Sequence, residues 1–330
     1  MKFNPNNKIR EIFEDPAFKG YTHMLDFRRD NPDKSIYDMT LLEIQNTLID
    51  WSSEKMAEGF SYLYDRAVEN KAFYSYYSDE EKAANPDLDE TGIAAFTLEK
   101  KSRFVLLCPG GGYGAVCACI EGYPLAKELN SLGYSVFVVS YRVGKKGNCP
   151  KPIDDLARAL EFIISNSEKF NVSPEEYCIL GFSAGAHLVS SWGVKEIGYA
   201  KYNLPKPVLV SICYPVITMG EYAHEGSRNN FLGSDADDEE LIKKYSNELN
   251  VSRDYPATFM WQCDGDDVVP LENSLMMAMS LRKHGVPLFY EVYHYPTHGL
   301  KDYAQQYPKE WYKRMCEFWE EILKSKTSCE

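Results

Sequence analysis

A chain of 330 residues with 44% apolar content can bury a large core, and one catalytic domain with an extension fits that length better than two independent domains. The formal net charge of -13 argues against polyanionic partners, because nucleic acid and anionic membrane surfaces would repel it and its lysines form no basic stripe. Nine cysteines, an odd number scattered through apolar runs and loops, point to reduced thiols in a cytoplasm rather than a disulfide framework.

Residues 1–7 carry no apolar signal region, and no run has the length of a membrane span. Further on, Thr40-Leu41-Leu42-Glu43 fits a capping box, in which threonine and glutamate satisfy each other's free backbone N–H groups. Leu41, Ile44, Leu48 and Trp51 then fall on one helical face. A second amphipathic stretch spans 60–68, followed by Phe73-Tyr74-Ser75-Tyr76-Tyr77. We read 1–93 as a helical extension and a candidate cap, with its aromatic residues roofing a site. Burial of the same rings against the core or a second subunit is the competing reading, which leaves a homo-oligomer open.

From residue 94 to the end, short apolar runs alternate with helical patterns, as in a mostly parallel α/β sheet with helices on both faces. Strands are expected at 94–98, 104–108, 136–141, 177–180, 208–214, 258–262 and 288–294. Helices are expected at 124–132, 153–170, 183–192, 273–283 and 308–324, the first and fourth stopped by Gly133 and Gly285.

The strand at 104–108 runs into Pro109-Gly110-Gly111-Gly112-Tyr113-Gly114. Glycines let backbone N–H groups point into a site with no side chain in the way. A phosphate-binding loop is disfavoured, since neither Gly-x-Gly-x-x-Gly with a downstream acid nor Gly-Lys-Ser/Thr is present. Next, Gly181-Phe182-Ser183-Ala184-Gly185 follows a β-favouring run and precedes a helix-compatible one, the setting of a nucleophile elbow.

A serine hydroxyl needs a base to take its proton and a carboxylate to orient that base, both later in the chain. His298 fits the base, on a loop after the last strand. His294 falls inside that strand pattern and is expected to be packed or hydrogen-bonded there. His187, one turn after the serine, is expected to pack beneath the site, while His23, His224 and His284 default to solvated or structural roles. Three aspartates compete for the acid: spacing before Pro270 favours Asp266 over Asp267 and Asp264. Turn chemistry alone also explains an Asp-Gly-Asp-Asp cluster. Backbone N–H groups of Gly111, Gly112 and Ala184 are the expected oxyanion donors, each worth about 3 to 4 kcal/mol.

These residues resemble the hormone-sensitive-lipase-like group of α/β-hydrolases, and within it bacterial carbohydrate esterases that include acetyl xylan esterases and bifunctional acetyl/feruloyl esterases. The likeness rests on Pro109-Gly110-Gly111-Gly112-Tyr113, Glu121-Gly122-Tyr123-Pro124, Tyr141-Arg142-Val143, Gly181 through Leu188, and Tyr214-Pro215-Val216-Ile217-Thr218-Met219. It continues in His224-Glu225-Gly226-Ser227-Arg228, Val268 through Leu275, and His298-Gly299-Leu300. It implies an α/β-hydrolase domain over 94–330, the triad Ser183, Asp266 and His298, and ester cleavage without metal or cofactor. Its substrate would be a small acyl ester, an acylated sugar or oligosaccharide, with Tyr113 and His224 as substrate contacts. A peptidase or amidase on the same fold and a general small-ester carboxylesterase are the alternatives. A metal hydrolase built on His294, His298 and an aspartate is weaker, because two histidines complete no zinc site.

Overall fold

The apolar runs of the sequence become the strands of one eight-stranded sheet in a computed structural model, which describes residues 1–27, 35–49, 51–144, 147–299 and 310–327. The strands are β1 (Phe73–Tyr74), β2 (Gly92–Phe96), β3 (Ser102–Cys108), β4 (Ser135–Ser140), β5 (Val172–Phe182), β6 (Leu209–Cys213), β7 (Ala257–Cys263) and β8 (Leu288–Tyr293). Their order is β1-β2-β4-β3-β5-β6-β7-β8. β2 runs antiparallel to β1 and β4, and every other neighbouring pair is parallel. Helices cover both faces of a sheet of this kind, so its strands lose the alternation of a half-exposed strand. Every residue of β4, β6 and β7 is accordingly buried.

From β3 the chain proceeds to β4 on one side and then to β5 on the other. That makes the carboxyl ends of β3 and β5 a topological switch point, where open α/β sheets place their ligands. The glycine loop leaves β3 there, and Ser183 leaves β5 beside it.

The Thr40–Glu43 capping box forms: Thr40 N–H donates to Glu43 Oε2 at 2.7 Å and Glu43 N–H to Thr40 Oγ1 at 3.1 Å. The helix it opens is only Leu41–Thr47, so the expected apolar stripe is cut short. Leu41 and Ile44 are buried, but Leu48 lies past the helix end and is exposed, while Trp51 meets Phe27 edge-on at 5.4 Å. The longer helix Ser53–Ala67 packs on Tyr123–Ser131, and a Cβ on Gly59 would stand 2.7 Å from the Pro124 ring. Tyr62 stacks on Phe96 of β2 at 5.3 Å. Tyr21 stacks on Phe73, Tyr74 meets Phe170 edge-on, and Tyr76 and Tyr77 donate their hydroxyls to the Ser140 carbonyl and to Asp155. The described N-terminal residues therefore share one continuous core with the sheet.

Two further expectations are corrected. The helix expected over 153–170 is two, Lys151–Ser165 and Ser167–Phe170, because Asn166 turns its side-chain amide back onto the Phe162 carbonyl at 2.8 Å. The expected strand at 177–180 extends backward to Val172 through the polar residues 173–176, which carry no apolar signature. In the helix expected over 308–324, positions 308 and 309 lie outside the described residues, and the helix is Trp311–Thr327.

Candidate active site

Ser183 holds a backbone conformation of φ 51°, ψ -118°, where a non-glycine residue is strained. Its two flanking glycines make that turn sterically feasible. A Cβ on Gly181 would lie 2.3 Å from the Gly185 carbonyl oxygen, and one on Gly185 would lie 2.2 Å from that of Cys108. The helix Ala184–Gly193 can thus start immediately after the serine and pass close beneath β3.

The segments after β7 and β8 bring two more side chains to the serine. Ser183 Oγ lies 3.0 Å from His298 Nε2, and His298 Nδ1 lies 2.8 and 3.0 Å from the two carboxylate oxygens of Asp266. Asp266 has a fully buried side chain. Its oxygens also accept from the N–H groups of Val268 and Val269 at 3.0 and 2.9 Å and from the Gln262 amide at 3.2 Å. These donors favour an acceptor-only carboxylate and fix its direction, so Nδ1 is the protonated ring nitrogen and Nε2 accepts from the serine hydroxyl.

The other candidate acids stand elsewhere. Asp264 takes His294 Nδ1 at 2.7 Å and the Tyr295 N–H at 3.2 Å, and Asp267 is exposed. His294 is hydrogen-bonded, as one of its two expected roles had it, but not inside the strand: β8 ends at Tyr293, so His294 is fully exposed, and its bond to Asp264 raises its pKa. His294 and His298 are thus each committed to a different aspartate.

Across from the serine runs the loop after β3. A Cβ on Gly110 would lie 2.9 Å from Ser183 Cβ, so this loop passes directly along the serine side chain. Gly111 and Gly112 have φ of 127° and 62°, and the N–H groups of Gly111, Gly112 and Ala184 have no hydrogen-bond partner among the described residues. Tyr113 is a correction. Its own positive φ of 57° turns the ring inward, where it is fully buried, stacks on Phe231 at 4.7 Å and shares a 2.8 Å hydrogen bond with His187 Nδ1. It has no surface left for a substrate. His187 completes that buried chain by donating from Nε2 to the Tyr245 carbonyl at 2.7 Å, and burial lowers its pKa to about 4.

His224 caps the helix Glu225–Leu232 through Nδ1, which accepts from the Ser227 N–H and hydroxyl at 3.2 and 2.8 Å. Its ring borders the glycine loop, 3.8 Å from where a Gly112 Cβ would be. Burial lowers its pKa, as does the neighbouring His298.

Two buried polar residues went unassigned in the sequence reading. Asn273 accepts from the Ile217 and Thr218 N–H groups and donates to the Tyr222 and Pro270 carbonyls, tying the segment after β6 to the one after β7. Glu121 accepts from Gly110 and Tyr214. Both lie in or beside motifs quoted for the family resemblance, but only the fold reveals their partners. Among the described residues, no group of three or more His, Cys, Asp or Glu is arranged to hold a metal, and no helix is long and apolar enough to cross a membrane.

The BD-FAE family model matches residues 97–281, more than half of the chain. Endo-1,4-beta-xylanase B of Butyrivibrio fibrisolvens is 37% identical over 210 residues, which cover 61% of this chain and 33% of that protein. The acetylxylan esterase of Xylanibacter ruminicola is 30% identical over 217 residues, 63% of this chain and 43% of that protein. This chain thus spans less than half the length of either relative. Among solved structures, an acetyl ester-xyloside bifunctional hydrolase from Caldicellulosiruptor lactoaceticus superposes with a TM-score of 0.67 at 33% identity, covering 76% of this chain and 96% of its own. The strand order, the elbow after β5 and the family match lead to one conclusion: the protein is an α/β-hydrolase belonging to the BD-FAE family.

Proposed function

We propose that this chain is a carboxylic ester hydrolase that removes short acyl groups, acetyl foremost, from carbohydrates, with Ser183, His298 and Asp266 as its catalytic triad. The observation that carries the reading is the continuous run of hydrogen bonds from Ser183 Oγ through His298 to Asp266, at 3.0 and 2.8 Å. Ser183 attacks the ester carbonyl while His298 Nε2 takes its proton, and Asp266 holds the tautomer and favours the imidazolium. The N–H groups of Gly111, Gly112 and Ala184 receive the oxyanion. The tetrahedral intermediate collapses to an acyl-serine as His298 protonates the departing alcohol. Water, deprotonated by the same imidazole, then releases the acid.

Support for an acetylated carbohydrate comes from the names of the relatives, an acetylxylan esterase and an acetyl ester-xyloside hydrolase. His224, whose Nδ1 is taken by Ser227, keeps Nε2–H as a donor to a sugar or acyl oxygen at the loop's edge. We place the enzyme in a reducing compartment, the cytoplasm, a reading supported by eight described cysteines that are all free thiols.

S183A is expected to lower kcat on p-nitrophenyl acetate by roughly 10⁶-fold while leaving thermal unfolding nearly unchanged. Retained turnover would contradict the assignment. Initial rates on acetyl, butyryl and feruloyl esters of xylo-oligosaccharides test the substrate: acetyl esters are expected to react fastest, and a feruloyl preference would reverse that part of the reading.

A further inference from the structure

Glu121 ends the single-turn helix Ala118–Glu121, which follows the glycine loop, and its carboxyl group is buried beneath the site. Oε2 accepts from the Gly110 N–H at 2.5 Å, and Oε1 accepts from the Tyr214 hydroxyl at 2.8 Å. Among the described residues the groups that bear on its charge are Gly110, Tyr214 and His298, with no lysine or arginine. Burying a carboxylate without a cation is expensive, and a neutral side chain would be the cheaper way to fill the space. What it touches gives a reason for the carboxylate.

Gly110 is wedged between Glu121 and the serine: a Cβ there would lie 3.2 Å from Oε2 and 2.9 Å from Ser183 Cβ. Any shift of Gly110 is therefore passed to Gly111 and Gly112, the next two residues. On the other arm, the Tyr214 ring meets the His298 ring edge-on, with centroids 4.9 Å apart and planes at 75°. Tyr214 is itself held in a strained conformation of φ 37°, with its N–H bonded to the Trp261 carbonyl at 2.7 Å.

We infer that Glu121 is a positioning residue for the reaction: its carboxylate holds the glycine loop and Tyr214, and through Tyr214 the His298 ring, in one arrangement around Ser183. The inference rests on the ester-hydrolase reading above. The negative charge has a second consequence, because it favours the imidazolium that forms at His298 during proton transfer.

Burial raises Glu121 to about 7. Cys117 and Cys119 from its own segment, Cys213 at the end of β6, Tyr214 and His298 face it, with Asp26 beyond Cys119. Burial raises the pKa of these thiols and of the phenol, so they stay neutral while Glu121 titrates. Above about 7 the carboxylate accepts both bonds. As pH falls through that value, a proton on Oε1 faces Tyr214, since the Gly110 N–H can only donate, and the charge that helps His298 is lost.

The test uses the full chain and the variants E121Q and Y214F. Glutamine keeps an oxygen toward Gly110 and lets its amide donate to the Tyr214 oxygen, so it removes the charge with little change of shape. Expected are a folded E121Q with kcat on p-nitrophenyl acetate lowered roughly 10-fold or more, and an acidic limb of kcat/KM that differs from the parent's by the loss of the Glu121 ionisation. A folded E121Q with the parent's kcat and the parent's acidic limb overturns the inference. Should E121Q not fold, Y214F reads the same network by deleting one hydroxyl. A several-fold lower kcat with a displaced acidic limb supports it, and an unchanged profile overturns it. Fluorophosphonate labelling of Ser183 in the parent separates the two levels: no label there defeats the esterase reading, whereas a labelled parent with an unaffected E121Q defeats only the role of Glu121.

Discussion

His298 Nδ1 lies 2.8 Å from Asp266 Oδ2, while the nearby Asp264 is bonded by His294 at 2.7 Å. Neighbouring carboxylates on one loop are thus divided between two histidines, and only one division leads to the serine. D266N is expected to lower kcat roughly 10⁴-fold by losing the acceptor that fixes the imidazole tautomer. D267N, on an exposed side chain, is expected to leave kcat close to that of the parent and to shift stability by less than about 0.5 kcal/mol. Steady-state kinetics on a p-nitrophenyl ester checks both, and a larger loss from D267N would mean that the wrong acid is assigned.

Tyr113 and His187 form a buried polar chain that supports the loop without touching substrate. Y113F leaves His187 Nδ1 without its donor in a buried setting, at a cost of about 1 to 3 kcal/mol in urea unfolding, with KM unchanged. His187 also sets a pH dependence. Its pKa is lowered from 6.5 to about 4 in the folded protein, so its contribution is complete above pH 6.5 and drains away as pH falls toward about 4. The stability gap between the parent and H187N is expected to narrow across that window, and a constant gap would contradict the assignment.

The elbow glycines can be separated from glycines that serve only a turn. G185A puts a methyl group 2.2 Å from the Cys108 carbonyl oxygen, a clash between backbones that no rotamer relieves. A loss of about 3 kcal/mol or more is expected. At Gly285, where φ is 70° and nothing lies within 4 Å of the added carbon, alanine costs only its left-handed strain, about 1 to 2 kcal/mol. Thermal melts of the two variants give the comparison, and equal losses would show that packing at the elbow is looser than described.

Most strands and the meeting of Ser183, Asp266 and His298 were legible because each depends on local signals: apolar runs, glycine turns and loops placed after strands. Side-chain direction on irregular backbone was not legible. Tyr113 stands among loop glycines and looks available, but its positive φ points it into the core. His294 continues the alternation of β8, yet the strand stops one residue before it. The two residues of β1 are too few to leave a periodic signature. Glu121 was hidden for a different reason: its partners, Gly110 and Tyr214, come from separate segments that only the folded sheet brings together.

The most direct measurement is peptide mass spectrometry of the protein after reaction with a fluorophosphonate, since that reagent bonds fastest to a hydroxyl activated by a neighbouring base. Stoichiometric phosphonylation of Ser183, abolished in H298A, is the result expected here. An unmodified Ser183 in a preparation that still hydrolyses acetyl esters would contradict the account.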